Sequence, residues 1–118
     1  NQLLCGVHIA AAGEALALAD SMGLDLKQVH EVLGTGAAAS FMFGDRGQRM
    51  VDGAFDDVRS ALTIFVKDMG LVAEAAREVE QVVPLATSAQ QVYQRGSELG
   101  WGRRDDSIVY EVLRRGEG

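Results

Sequence analysis

The stretch Asn1-Gln2-Leu3-Leu4-Cys5-Gly6-Val7-His8-Ile9-Ala10-Ala11-Ala12-Gly13-Glu14-Ala15-Leu16-Ala17-Leu18-Ala19-Asp20-Ser21-Met22 decides the fold. It is rich in alanine and leucine and almost free of charge. Leu3, Val7, Ala10, Glu14 and Leu18 recur at helical spacing, and so do Leu4, Ala11, Ala15 and Leu18. A helix that is apolar on nearly every side must be buried on several sides. It is therefore expected to be a central helix, packed by other helices or by a second subunit. Gly23 supplies its C-terminal stop.

Working outward, helical signals continue to the end of the chain. Asp25 followed by Gln28 has the form of a capping box, with Leu24 and Val29 where a hydrophobic staple belongs. The helix they open carries Leu26, Val29 and Val32 and stops at Gly34. Ser40 caps a short aromatic segment, Phe41-Met42-Phe43, and Asp52-Gly53 marks a turn. Ser60 is expected to open a second long helix through Leu62, Phe65, Met69, Val72, Ala76 and Val79. Pro84 suits the first turn of another, which carries Leu85, Ala89, Val92 and Leu99 and ends at Gly100. Asp105 or Asp106 caps a final one through Ile108, Val109, Val112 and Leu113. The expectation is a single all-α domain over residues 1–118, of about six helices, with a long buried first helix.

The totals narrow the function classes. A length of 118 residues fits one domain. The net charge of −6 disfavours a nucleic-acid partner, since phosphate binding needs clustered Lys and Arg. No unbroken run of about 18 apolar residues exists, so no membrane span is expected. The lone cysteine, Cys5, cannot form an internal disulfide, which suits a cytoplasmic protein. Asn1 already lies inside a helical pattern, so the chain is expected to begin within a longer polypeptide.

Several motifs have plain structural readings. Gly34-Thr35-Gly36-Ala37-Ala38-Ala39 matches G-x-G-x-x-A, but that fingerprint needs a preceding strand, and here the preceding segment carries helix-start signals. Cys5 and His8 share a helical face, yet no orienting group or oxyanion hole accompanies them. No carboxylate stands near His8 or His30 at ligand spacing, so no metal site is expected. Lys67 is less ordinary. Its helical neighbours Thr63, Ile64, Gly70 and Leu71 are small or mostly apolar, so its ammonium is either snorkelling or held for a ligand.

At these residues the chain resembles a known family. Phe65-Val66-Lys67-Asp68-Met69-Gly70-Leu71 is similar to the Lys-Asp segment of the β-hydroxyacid dehydrogenases, which include the 3-hydroxyisobutyrate and tartronate semialdehyde enzymes. Asn1-Gln2-Leu3-Leu4 resembles the tail of their K-x-x-N-N motif. Gly100 through Val109, with Asp105 and Ser107, resembles their closing segment. Gln2-Leu3-Leu4-Cys5-Gly6-Val7-His8, taken with Ile64-Phe65-Val66-Lys67-Asp68, looks like the L-threonate dehydrogenase subgroup.

The resemblance implies a C-terminal domain of the 6-phosphogluconate dehydrogenase type, following an N-terminal Rossmann domain that binds NAD or NADP. It implies oxidation of a hydroxy acid by a homodimer or higher homo-oligomer. The family's catalytic lysine would lie upstream of Asn1, so no catalytic residue is expected in this chain. Asn1, Gln2, Ser60 and Asp68 are the implied substrate-binding residues, and Lys67 the implied cofactor-binding residue. Two positions depart from the family. Gln2 replaces a second asparagine, and Ser60 replaces a Phe or Tyr. Both changes suit a more polar substrate, such as a four-carbon sugar acid. Two other readings stay open: another enzyme of the superfamily, such as an imine reductase, or a helical dimerisation module without catalysis.

Overall fold

The computed structural model describes residues 1–114. Six α-helices carry the fold: α1 Gln2–Ser21, α2 Leu26–Leu33, α3 Phe41–Asp52, α4 Leu62–Glu78, α5 Pro84–Glu98 and α6 Val109–Arg114. A 3₁₀ turn, Asp106–Ile108, leads into α6. Among the described residues the only β pairing is an isolated bridge between Ala61 and Asp105.

Helix α1 is the axis, in contact with every other helix. Its stop follows the sequence signal. Gly23 takes φ +76°, Leu24 N–H donates to the Ala19 carbonyl, and Gly23 N–H donates to that of Asp20. This is a Schellman closure, which uses up carbonyls left open at the helix end. The same bond pattern ends α4, where Gln81 donates to Ala76 and Glu80 to Arg77. There the left-handed position is Glu80, at φ 57°.

The core is built where α1 meets α3, α4, α5 and α6. Ile9, Leu16, Leu62, Tyr93, Ile108, Val109 and Val112 have no exposed surface. Only one side of α1 is covered, through Gly6, Ile9, Ala10, Ala12, Gly13, Leu16, Ala17 and Ala19. Leu4, Ala11, Ala15 and Leu18 remain exposed, Leu18 at 62 %. Helix α1 has 20 residues and a mean hydropathy of 1.5, so by length and composition it could cross a bilayer. Its covered face places it in the core of this domain.

Two boundaries differ from the sequence reading. Phe41-Met42-Phe43 is the first turn of a helix of 12 residues, with Ser40 Oγ accepting from Phe43 N–H as expected. Gly44 and Gly47 hide this helix, since glycine is a poor helix former. Gly47 is there because a β-carbon would approach within 2.8 Å of the His30 ring on α2. Helix α4 begins at Leu62, with Ala61 rather than Ser60 as its N-cap. Gly34 does end α2. Gly34 through Ala39 then forms a turn between two helices, not a strand-to-helix loop.

Candidate active site at the joint of α1 and α4

Gln2 lies in the first turn of α1 and Asp68 in the second turn of α4. The fold brings them together across 66 positions: Gln2 Nε2 donates to Asp68 Oδ2 at 2.8 Å. Asn1 joins the pair by donating from Nδ2 to Gln2 Oε1 at 2.7 Å. Both residues of the pair are partly buried, while Asn1 is exposed. Three of the residues implied by the resemblance therefore form one hydrogen-bonded chain.

Lys67 precedes Asp68 and is exposed. It makes no ion pair with any described residue. Its neighbours Ile64 and Leu71 are also exposed, at 43 % and 54 %. The apolar surroundings read from the sequence are thus a surface stripe beside an ammonium group, not a pocket within this domain.

Ser60 stands apart from these. It is half-buried, and its carbonyl accepts from the Asp106 N–H at 2.8 Å. Its backbone N–H points at Asp105 Oδ1, 3.4 Å away. Ser60 belongs to a buried ionic network that the sequence reading did not anticipate. Asp105 accepts from Arg49 Nε at 3.0 Å, Arg59 N–H at 2.9 Å and Ser107 Oγ at 2.5 Å. Arg49 also donates to the carbonyls of Ala54 and Asp57. Asp106 accepts from Arg46 Nε at 2.7 Å and Nη2 at 3.2 Å, a bidentate pair. The signal was the pair Arg46 and Arg49, three apart and hence on one face of a helix. It was lost with the helix itself.

The two neighbouring aspartates titrate in opposite directions. Burial alone would raise Asp105, but hydrogen bonds from Ser107, the Arg59 backbone and Arg49 outweigh it and hold the carboxyl below its ordinary 3.8. Burial dominates at Asp106, and Arg46 only partly offsets it, so that carboxyl lies above 3.8. Burial likewise raises the Tyr93 phenol. The network pins residues 54–61 and the closing segment to α3, and so fixes where α4 starts. Asp105 and Ser107 thus act on the site through the position of α4, without reaching Asp68.

An amide and a carboxylate fixed to each other at the α1–α4 joint can bind a polar molecule, and the exposed Lys67 is the neighbouring residue on α4.

Residues 1–113 match the family described as NAD-binding of NADP-dependent 3-hydroxyisobutyrate dehydrogenase, and the chain belongs to that family. It is 43 % identical over 113 residues to L-threonate dehydrogenase of Escherichia coli K12, covering 96 % of this chain and 37 % of the relative. A solved 3-hydroxyisobutyrate dehydrogenase from Salmonella typhimurium superposes with a TM-score of 0.92 at 46 % identity, covering 94 % of this chain and 39 % of that one. The cytokine-like nuclear factor N-PAC of Aedes aegypti is 36 % identical over 109 residues, 92 % of this chain and 19 % of the relative. The chain thus spans under two fifths of the lengths of these relatives.

Proposed function

We propose that the full-length protein is an NAD(P)-dependent oxidoreductase of a hydroxy acid, with L-threonate or a related four-carbon sugar acid as substrate. This chain is its C-terminal helical domain, and a Rossmann domain precedes it. The observation that carries the reading is the Gln2–Asp68 hydrogen bond, which joins two separate family-like motifs in one polar site. The 43 % identity to an L-threonate dehydrogenase supports the substrate class.

Within that site Gln2 and Asn1 offer amide donors and acceptors to substrate hydroxyls and carboxylate, and Asp68 fixes the Gln2 amide. Ser60, which stands apart from the Gln2–Asp68 pair, contributes space where the family has an aromatic ring. The exposed, unpaired Lys67 fits a dinucleotide, whose phosphates and amide need a cation and donors. The stripe of Ile64 and Leu71 beside it suits cover by another domain. When bound, the dinucleotide supplies the hydride acceptor. This chain's residues hold and orient the hydroxy acid, and proton removal falls to the lysine expected upstream of Asn1.

A homodimer formed over α1 and α2 and a cytoplasmic setting belong to the same proposal. An apolar groove of about 460 Å³, lined by Leu18, Met22, Val29 and Val32, supports the dimer. The named bacterial metabolic relatives support the setting. The rival is a helical module without catalysis. Titrating the full-length protein with NAD and NADP, then adding L-threonate, separates them. Saturable dinucleotide binding followed by its reduction is expected. Absence of both sinks the enzyme reading.

A further inference from the structure

The joint of α1 and α4 is set one turn away from the Gln2–Asp68 pair. Gly6 follows Gln2 by four residues, and Met69 follows Asp68 directly. A β-carbon on Gly6 would fall 2.5 Å from Met69 Sδ and 3.3 Å from Phe65. A side chain at Gly6 would therefore have to displace the end of Met69, and glycine lets the two helices lie in close contact here.

Tyr93 reaches the same residue from α5. Its hydroxyl donates to the Gly6 carbonyl at 2.6 Å. Its ring stacks on Phe65, with centroids 5.3 Å apart. It has no exposed surface. A carbonyl in the middle of an α-helix has its own partner four residues on, so the backbone does not need this hydroxyl. A phenylalanine would fill the same space. What the hydroxyl adds is a fixed rotation and height of the first turn of α1 against α4.

We infer that Tyr93 is a positioning residue: its hydrogen bond to Gly6 holds the first turn of α1 so that the Gln2 amide stays on Asp68. The inference rests on the hydroxy-acid reading for its consequence in rate, but not for the positioning itself. A misplacement of about 1 Å is enough to slow a reaction by up to about a hundredfold. Removing the hydroxyl should therefore reduce turnover while the stacked ring keeps the core filled.

The test uses the full-length protein and Tyr93→Phe, with two readouts. In the first, glutamine side chains are ¹⁵N-labelled and the Gln2 amide is assigned by its loss in Gln2→Ala. Tyr93→Phe should shift and broaden the Gln2 amide signals; unchanged signals overturn the inference whatever the protein catalyses. In the second, kcat/KM on L-threonate is measured for Tyr93→Phe, Gln2→Ala and the double variant. Tyr93→Phe should lose about tenfold to a hundredfold. The double variant should be no slower than Gln2→Ala alone, because Tyr93 acts through Gln2. A double variant slowed by the product of the single effects overturns the positioning role. Full activity in Gln2→Ala defeats the hydroxy-acid site instead, and the amide signals then decide the inference about Tyr93.

Discussion

Lys67 and Asp105 show how one kind of side chain can serve binding or architecture depending on its surroundings. Lys67 is an exposed ammonium without an ion pair among the described residues, so the domain does not need it for stability. Lys67→Ala in the full-length protein should change stability by less than about 0.5 kcal/mol, read by thermal melting. It should lower kcat/KM by roughly 2–4 kcal/mol, the scale of losing one preorganised donor. Normal melting with full kcat/KM would make Lys67 a solvated surface residue. Asp105 is the opposite case. It is fully buried and holds Arg49, Ser107 and the backbone at Arg59. Asp105→Asn removes the buried carboxylate facing Arg49, which keeps the Ala54 and Asp57 carbonyls and the exposed Asp57 carboxylate, and should cost about 3 kcal/mol at neutral pH. Because the folded state lowers the Asp105 pKa, its contribution is present above 3.8 and lost as pH falls below that value. Asp106, raised by burial, works the other way, and its contribution fades as pH rises past 3.8. Urea titrations from pH 7 to pH 2 should thus show a shallower acid loss in Asp105→Asn than in wild type. Parallel curves would remove Asp105 from the acid response.

At the scale of the elements, helix ends were more legible than helix interiors rich in glycine. Asp25 and Ser40 cap α2 and α3 as their residue types require, each accepting a backbone N–H near the helix start. Gly23 and Pro84 fall where a stop and a first turn need them. Helix α3 was not legible beyond its first turn, because Gly44 and Gly47 serve its packing rather than its propensity. With it went the Arg46–Asp106 and Arg49–Asp105 pairs, which no local spacing announces. Asp68, Gln2 and Asn1 were found through resemblance. Their contact follows from Gly6, whose reason to be small is visible only once Met69 lies against it. Helix α4 carries a defect that sequence reading also passed over. Glu80 occupies the left-handed position of its closure, which costs an L-residue about 1–2 kcal/mol. Glycine gives back part of that gain through the greater freedom of its unfolded chain, about 0.4–1 kcal/mol. Glu80→Gly should raise stability by roughly 0.5–1 kcal/mol, read as a higher urea midpoint at unchanged slope. A lower midpoint would mean that the Glu80 side chain contributes more than its backbone strain.

For the molecule as a whole, the uncovered side of α1 is the outstanding feature. Leu18 and Met22 are 62 % and 65 % exposed, and they line one groove with Val29 and Val32 of α2. A symmetric copy is the simplest cover for such a patch. Leu18→Glu should convert the proposed dimer to a monomer in light scattering at micromolar concentration. An unchanged mass, dimer in both, would move the interface elsewhere. Whatever covers α1, the proposed site is the polar joint at its first turn. On the proposed reading the joint offers amides and a carboxylate to the substrate, with Lys67 next along α4. Groups of that kind are left unpaired by a substrate with too few hydroxyls, and such a substrate is rejected for that reason. The most direct measurement is kcat/KM of the wild-type full-length protein on L-threonate and on 3-hydroxyisobutyrate, with the same saturating dinucleotide. A preference for L-threonate of at least about a hundredfold is expected. Equal values for the two acids, or turnover of neither, would contradict the account.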